Sequence, residues 1–119
     1  MNFRFDPKAG LILVKTKLYG PHGDTVVNLA LDTGATWTLV SWETAVLVGC
    51  DPASIQQRTA ITTKLNLRSV EALGKAVKNL EILCHTLPPT SRVDGLLGLN
   101  FLRRFNVRLN FKEGYITVR

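Results

Sequence analysis

The chain has 119 residues, 45% of them hydrophobic and 20% charged, and its formal net charge at pH 7 is +6. This length fits one domain covering residues 1–119, and the composition excludes a disordered or collagen-like chain. The longest apolar run, residues 11–14, is far shorter than the roughly 20 residues that a membrane helix needs. No apolar segment of the kind found in signal peptides follows Met1, and there are only two cysteines, Cys50 and Cys84. We therefore expect a soluble cytoplasmic domain with reduced thiols, no membrane association and no cysteine-based zinc site.

Positive charge is concentrated in the second half of the chain. Residues 58–119 hold eleven basic and four acidic residues, whereas residues 25–57 hold three acidic residues and no basic ones. A basic surface is compatible with nucleic-acid binding. However, the basic residues are scattered singly, except for Arg103 and Arg104, and no aromatic residues alternate with them. The pattern favours a solvated basic face over a nucleic-acid site.

Hydropathy that alternates with a period of two predicts an all-β domain with one or two short helices. Ser41 is the predicted N-cap of the first helix, with Glu43 in its first turn and Gly49 at its end. The second helix is predicted over residues 99–105. The predicted strands cover residues 11–19, 25–31, 37–40, 58–70, 76–87, 106–111 and 115–118, and residues 20–24 and 112–114 are the turns of two hairpins.

The segment that most strongly suggests a functional site is residues 29–36, Leu-Ala-Leu-Asp-Thr-Gly-Ala-Thr. In one interpretation, residues 32–34 form an ordinary turn, because Asp and Thr bond to nearby backbone and Gly accepts positive φ. In a second, Asp32 binds a metal, but His22 and His85 are not at ligand spacings from it. In a third, Asp32 is a catalytic carboxylate held by a rigid loop.

A resemblance to a known family favours the third interpretation. Residues 29–40 resemble the active-site loop of aspartic proteases, and residues 94–102, Asp-Gly-Leu-Leu-Gly-Leu-Asn-Phe-Leu, resemble the apolar strand and short helix beside that loop. Both segments occur in the same order and spacing in single-domain prokaryotic relatives of retroviral proteases. The whole chain is similar to this retropepsin-like family, which implies a small closed β-barrel that forms half of a two-fold symmetric dimer.

The resemblance implies a specific chemistry. Aspartic proteases use two carboxylates that share one proton and activate a water molecule, without a metal or organic cofactor. This chain has one Asp-Thr-Gly sequence, so we expect a homodimer in which each subunit contributes Asp32. Asp94 is the internal alternative for the second carboxylate. Thr33, Gly34, Ala35 and Thr36 match the supporting residues of the loop, with Thr33 tying the two loops together across the axis and Gly34 facing the substrate.

The substrate implied by this resemblance is an extended polypeptide with apolar side chains around the scissile bond. The candidate cleft residues are Leu96, Leu97, Gly98, Thr62 and Thr63. In this family the chain termini pair across the two-fold axis, and residues 1–5 and 115–118 are the matching segments. The main alternative is a peptide-binding or dimerisation module of the same fold with weak or no catalysis.

Retropepsin-like proteases close a β-hairpin flap over the substrate, and here the flap is predicted within residues 57–70. That stretch has no glycine or proline, and Asn66 is its one turn former. It lacks a tip of roughly ten residues at about Thr63 and Lys64. Either the flap is short, or a loop is missing from the printed sequence.

Several other residues receive structural interpretations. Trp37 and Trp42 are predicted core residues, with a substrate subsite as the alternative. His85 is predicted to be a structural histidine in a strand. Neither cysteine is next to a base that would make it a nucleophile, and no serine lies in a Gly-x-Ser-x-Gly sequence.

Overall fold

A computed structural model describes residues 2–49, 62–88 and 90–119, with Thr62 and Thr63 described by their backbone alone. Within these ranges the strands are β1 (Asn2–Arg4), β2 (Leu13–Gly20), β3 (Gly23–Leu31), β4 (Leu39–Ser41), β5 (Thr62–Ala72), β6 (Lys75–His85), β7 (Gly95–Leu97), β8 (Val107–Asn110) and β9 (Tyr115–Val118). The helices are α1 (Trp42–Leu47) and α2 (Leu99–Leu102).

Six strands close a barrel in the order β2-β3-β7-β4-β6-β5. β2 with β3 and β5 with β6 are antiparallel hairpins, whereas β3 with β7 and β4 with β6 are parallel pairs. Alternate residues of β2 face the interior, where Leu18 is fully buried with Leu29, Leu67 and Phe101. This alternation is the pattern that a strand shows when one face is packed and the other solvated. The prediction of a small closed all-β barrel with one or two short helices is confirmed, and the described ranges hold two of them.

The short helix α1 has the predicted cap. The side chain of Ser41 accepts a hydrogen bond from the backbone N–H of Thr44 at 3.2 Å, and Glu43 lies in the first turn. After the helix, Gly49 has φ +114°, which suits the glycine that ends a helix. Trp42 is buried in the core, as predicted. No helix in the described ranges is long and apolar enough to cross a membrane.

The strands β5 and β6 are joined by a two-residue turn. Ala72 pairs with Lys75, and the two residues between them, Leu73 and Gly74, have φ of +55° and +72°. Two consecutive positive φ angles are typical of a type I′ turn, whose twist matches that of the flanking strands. Leucine rarely adopts this conformation, but the Leu73 side chain is buried in the core, which offsets the backbone cost.

The predicted flap does not form in the described part of its segment. Residues 57–61 lie outside the described residues. From Thr62 to Ala72 the chain is a single strand, with Lys64 opposite Leu83 and Asn66 opposite Glu81. The backbone therefore runs straight through the position of the missing tip, and residues 62–72 hold neither a turn at Asn66 nor a flap hairpin.

The chain termini form a separate sheet in the order β1-β9-β8. Asn2 pairs with Thr117, and Val107 pairs with Val118, all within one chain. Pairing of residues 1–5 and 115–118 across a two-fold axis involves a second copy of the chain and stays a prediction. Among the described residues β9 has a neighbour on each side, so the open edges of this sheet are those of β1 and β8.

We expect Gly74→Ala to lower the free energy of unfolding by about 1 kcal/mol, because a Cβ is disfavoured at positive φ. Urea denaturation measures this change. The matched control is Gly10→Ala, at an exposed position with no atom within 4 Å of an added Cβ and no positive φ. Equal stability of the two variants would contradict the type I′ turn.

Candidate active site

The loop after β3 holds Asp32 in a fixed orientation. The Asp32 carbonyl oxygen accepts a hydrogen bond from the Ala35 N–H at 3.2 Å, which closes a tight turn. Within that turn, Oδ1 of Asp32 accepts a hydrogen bond from the Gly34 N–H at 2.8 Å. Residues 32–35 thus form the tight turn of the first interpretation, and the Gly34 N–H of that turn also holds the Asp32 carboxylate in place.

The Asp32 carboxylate is half-buried and has little else bound to it. Its second oxygen has no hydrogen-bond partner among the described residues. The ion pairs found in the described ranges are Lys17–Asp24 and Lys64–Glu81, so neither one neutralises Asp32. No group of three or more His, Cys, Asp or Glu residues that could hold a metal occurs in the same ranges. The arrangement leaves one carboxylate oxygen available for a water molecule or a second carboxyl group.

The loop is attached to the barrel through β7. The backbone N–H of Asp32 donates to the Leu97 carbonyl oxygen at 3.0 Å, directly after the parallel pair Leu31–Leu97. On the other side of β3, the Leu31 N–H donates to the Ile12 carbonyl oxygen at 2.8 Å. Asp32 therefore follows a strand that is hydrogen-bonded on both sides up to its last residue.

The short helix α2 begins directly against this loop. The N–H groups of Leu99 and Asn100, which have no partner inside the helix, donate to the carbonyl oxygens of Ala35 at 2.8 Å and Thr36 at 3.1 Å. This contact needs glycine at position 98, because a Cβ there would lie 2.5 Å from the Trp37 carbonyl oxygen. Gly98 thus acts by letting two backbones approach closely.

The side chain of Asn100 joins three parts of the barrel. Its Oδ1 accepts hydrogen bonds from the N–H and the hydroxyl of Thr38, both at 2.8 Å, and its Nδ2 donates to the Glu81 carbonyl oxygen at 2.6 Å. The Thr38 hydroxyl in turn accepts from the Gly98 N–H at 3.1 Å. The sequence analysis missed both residues. Neither Asn100 nor Thr38 has a local pattern that indicates this role, because they are 62 positions apart.

Asp94 has a structural role at a different part of the barrel. Its carboxylate accepts a hydrogen bond from the Asn28 N–H at 2.9 Å, and its own N–H donates to the Asn28 carbonyl oxygen at 2.9 Å. Asn28 precedes Asp32 by four residues on the same strand, which spans roughly 13 Å at about 3.3 Å per residue. Asp94 is thus held away from Asp32 and does not form a dyad with it.

The other candidate residues differ in how far they are exposed to solvent. In the loop, Thr33, Gly34 and Thr36 are exposed, and Ala35 is half-buried. Leu96 is half-buried, whereas the Leu97 side chain is fully buried, so Leu97 contributes its carbonyl oxygen rather than its side chain.

Two further positions complete this description. Thr62 and Thr63 are placed by backbone pairing with His85 and Cys84. Trp37 is half-buried, and Nζ of Lys64 lies 5.3 Å from the centre of its ring, so Trp37 is not a fully enclosed core residue.

The solved structures that are similar to this chain include two retroviral-protease-like proteins. The crystal structure of a retropepsin-like aspartic protease from Rickettsia conorii matches with a TM-score of 0.74 at 20% identity, over 99% of this chain and 87% of that one. The retroviral protease-like domain of Ddi1 from Leishmania major matches with a TM-score of 0.63 at 15% identity, over 93% of this chain and 90% of that one. No protein-family model and no curated protein matches the sequence. At these identities the likeness shows the fold, and the predicted retropepsin fold is confirmed.

We expect Asn100→Ala to lower the free energy of unfolding by about 2–3 kcal/mol, because it leaves polar groups of Thr38 and Glu81 without partners inside the barrel. Thermal or urea unfolding measures the loss. Asn106→Ala is the matched control, since the Asn106 side chain is exposed. If the two variants are equally stable, Asn100 does not join these segments.

Proposed function

We propose that this chain is an aspartic endopeptidase whose active site is completed by a second copy of the chain. The observation that carries the proposal is the placement of Asp32. It lies in a tight turn at the end of a strand bonded on both sides, with Oδ1 held by the Gly34 N–H and the second oxygen available. A fixed carboxylate of this kind, in a retropepsin fold, suits the activation of water.

The proposed reaction needs two such carboxylates. Like charges at short distance do not ionise together, so a pair of Asp32 side chains would share one proton. The ionised carboxylate takes a proton from water, and the resulting hydroxide attacks the scissile carbonyl carbon. The protonated carboxyl group hydrogen-bonds the carbonyl oxygen, then supplies the proton that the amine nitrogen receives as the C–N bond breaks. No metal or cofactor takes part in this scheme.

The second carboxylate is proposed to come from a second copy because the internal alternative is engaged elsewhere. Asp94 is bound to Asn28, roughly 13 Å along β3 from Asp32 at about 3.3 Å per residue. In the terminal sheet, β1 and β8 have open edges, and pairing of two such edges is a common way to join two copies. We propose that this sheet contributes to the dimer contact, with Thr33 next to the two-fold axis.

The substrate proposed for this site is an extended polypeptide that lies between the two subunits. Extended peptides bind by pairing their backbone with exposed strand or loop backbone, while pockets select alternate side chains. At the tip of the Asp32 loop, Thr33 and Gly34 are exposed and can contact such a peptide, whereas the Ala35 and Thr36 carbonyl oxygens are bonded to α2. Half-buried Leu96 and Trp37 supply apolar surface near the loop, which favours apolar residues around the scissile bond.

A second candidate function is a peptide-binding module of the same fold without turnover. It is favoured by one observation, the uninterrupted course of β5 from Thr62 to Ala72, where a flap hairpin was predicted. Residues 62–72 therefore supply no hairpin that closes over a substrate, and closure of that kind excludes water and holds the substrate in place. Both candidates predict peptide binding, and only the first predicts cleavage that depends on Asp32.

Cleavage of a peptide library by the purified chain tests the proposed enzyme. We expect Asp32→Asn to reduce cleavage by at least a thousandfold, because an amide cannot act as the ionised base, while unfolding and peptide binding stay unchanged. Asp6→Asn, at an exposed position in the turn after β1, is the matched control and keeps full activity. Binding without cleavage by the unmodified chain would favour the second candidate.

Subunit mixing tests the shared site. A fixed amount of unmodified chain is equilibrated with increasing amounts of Asp32→Asn chain, and cleavage is measured at each ratio. For a homodimer, a tenfold excess of the variant captures most active subunits in mixed pairs and lowers activity about tenfold. The same excess of inactive protein leaves a monomeric enzyme unaffected, and constant activity would therefore reject the dyad of two Asp32 residues.

A further inference from the structure

A groove of about 740 Å³ lies between the barrel and the terminal sheet. Its walls come from the start of β2, the turn between β5 and β6, and the strands β1 and β9; they include Phe3, Arg4, Leu13, Lys15, Leu73 and Ile116. None of residues 32–34 lines it. The volume is within the usual range of ligand pockets, and the groove is separate from the candidate active site.

One wall of the groove is a strand edge that no other described residue pairs with. β2 pairs with β3 along its whole length, but with β5 only from Thr16 to Tyr19. The Ile12 carbonyl oxygen accepts a hydrogen bond from Leu31 at the end of β3. In an antiparallel pair every second residue bonds to the same neighbour, so the backbone polar groups of Leu13 and Lys15 point away from β3. At that side β5 has already ended, at Ala72. An edge of this kind accepts one more extended segment.

The charge of the groove is strongly positive. Four cationic side chains, Arg4, Lys15, Lys17 and Lys75, line it together with a single carboxylate, Glu71. Glu71 accepts a hydrogen bond from the Tyr19 hydroxyl at 2.9 Å, and Lys17 forms an ion pair of 3.3 Å with Asp24 outside the groove. The side chain of Tyr19, and after it that of Asp24, raises the pKa of Lys17, so this ammonium group stays charged at neutral pH.

The groove also has exposed apolar surface. Leu13 and Val26 are 47% and 59% exposed, half-buried Phe3 contributes from the terminal sheet, and buried Ile116 lies at the wall of the groove. Phosphate backbones need cations but gain little from aliphatic walls or from a strand edge, whereas a peptide uses all three. The combination therefore favours a peptide over a nucleic acid.

We propose that this groove binds an extended acidic peptide, which adds a strand to the open edge of β2. In a strand added there, alternate side chains face opposite sides of the sheet. Those on the outer face lie beside Lys15 and are acidic, and those on the other face lie towards Phe3 and Ile116 and are apolar. The expected ligand alternates Glu or Asp with Val, Leu or Ile over about six residues.

Fluorescence anisotropy with labelled heptapeptides tests the proposal. The probe alternates glutamate with valine, and the control probe replaces each glutamate by lysine. A third probe keeps the glutamates but carries N-methyl groups on the valines, which blocks backbone pairing along one edge. The protein is the Asp32→Asn variant, so that cleavage does not interfere and the result is independent of the proposed enzyme function.

We expect the glutamate probe to bind at least tenfold more tightly than the lysine probe and the N-methylated probe. When Arg4→Glu and Lys15→Glu are added to the Asp32→Asn variant, binding of the glutamate probe weakens at least tenfold. Adding Arg103→Glu with Lys112→Glu makes the same charge change at exposed positions outside the groove and alters binding less than twofold.

Four results would overturn the proposal: equal binding of the two charge probes, equal binding of the N-methylated probe, equal losses in the two double variants, or absence of binding at millimolar peptide. Displacement of the probe by a single-stranded oligonucleotide at lower concentration than by unlabelled peptide would overturn it too, in favour of nucleic acid.

Discussion

The hydrogen bonds of one half-buried amide side chain connect the parts of this barrel that surround Asp32. Asn100 accepts two hydrogen bonds from Thr38 and donates one to the Glu81 carbonyl oxygen, so α2, the segment after the loop and β6 are joined at one point. The Thr38 hydroxyl in turn accepts a hydrogen bond from the Gly98 N–H, which extends the network to the start of α2. Because a carboxamide offers donors and an acceptor in fixed directions, it sets both distance and orientation between these segments. The geometry of the loop therefore depends on a residue that does not belong to it.

Local features of the structure could be predicted from the sequence. The cap at Ser41, the position of Asp32 after an apolar strand and the two outer hairpins each depend on residues within a few positions of one another. The contact of Asn100 with Thr38 could not be predicted, since neither residue has a neighbour that reveals it. The positive φ of Leu73 could not be predicted either, because leucine rarely adopts it and only burial of the side chain in the core offsets that preference.

The pairing of the termini shows a different limit of sequence analysis. Alternating residues predicted the strand over residues 115–118, but alternation does not specify which strand, or which chain, lies next to it. Here β9 lies between β1 and β8 of its own chain. The candidate site thus combines a single-chain scaffold, which holds the Asp32 loop, with a proposed contact between copies that uses the outer edges of the terminal sheet. In that arrangement, contacts inside the barrel keep the Asp32 loop rigid, and the edges of the terminal sheet bring the second Asp32 carboxylate into place.

The pairing of the first strand with the last also has a consequence for synthesis of the protein. Asn2 and Thr117 are bonded through their side chains across 115 positions, and among the described residues the β1 backbone pairs only with β9. Strand pairs this distant in sequence form late, because closing so long a loop costs entropy before any contact offsets it. While a ribosome still holds residues 115–118, β1 has emerged without this partner. The terminal sheet can therefore form only after residues 115–118 have left the ribosome, and until then β1 is a strand that chaperones or other nascent chains can bind.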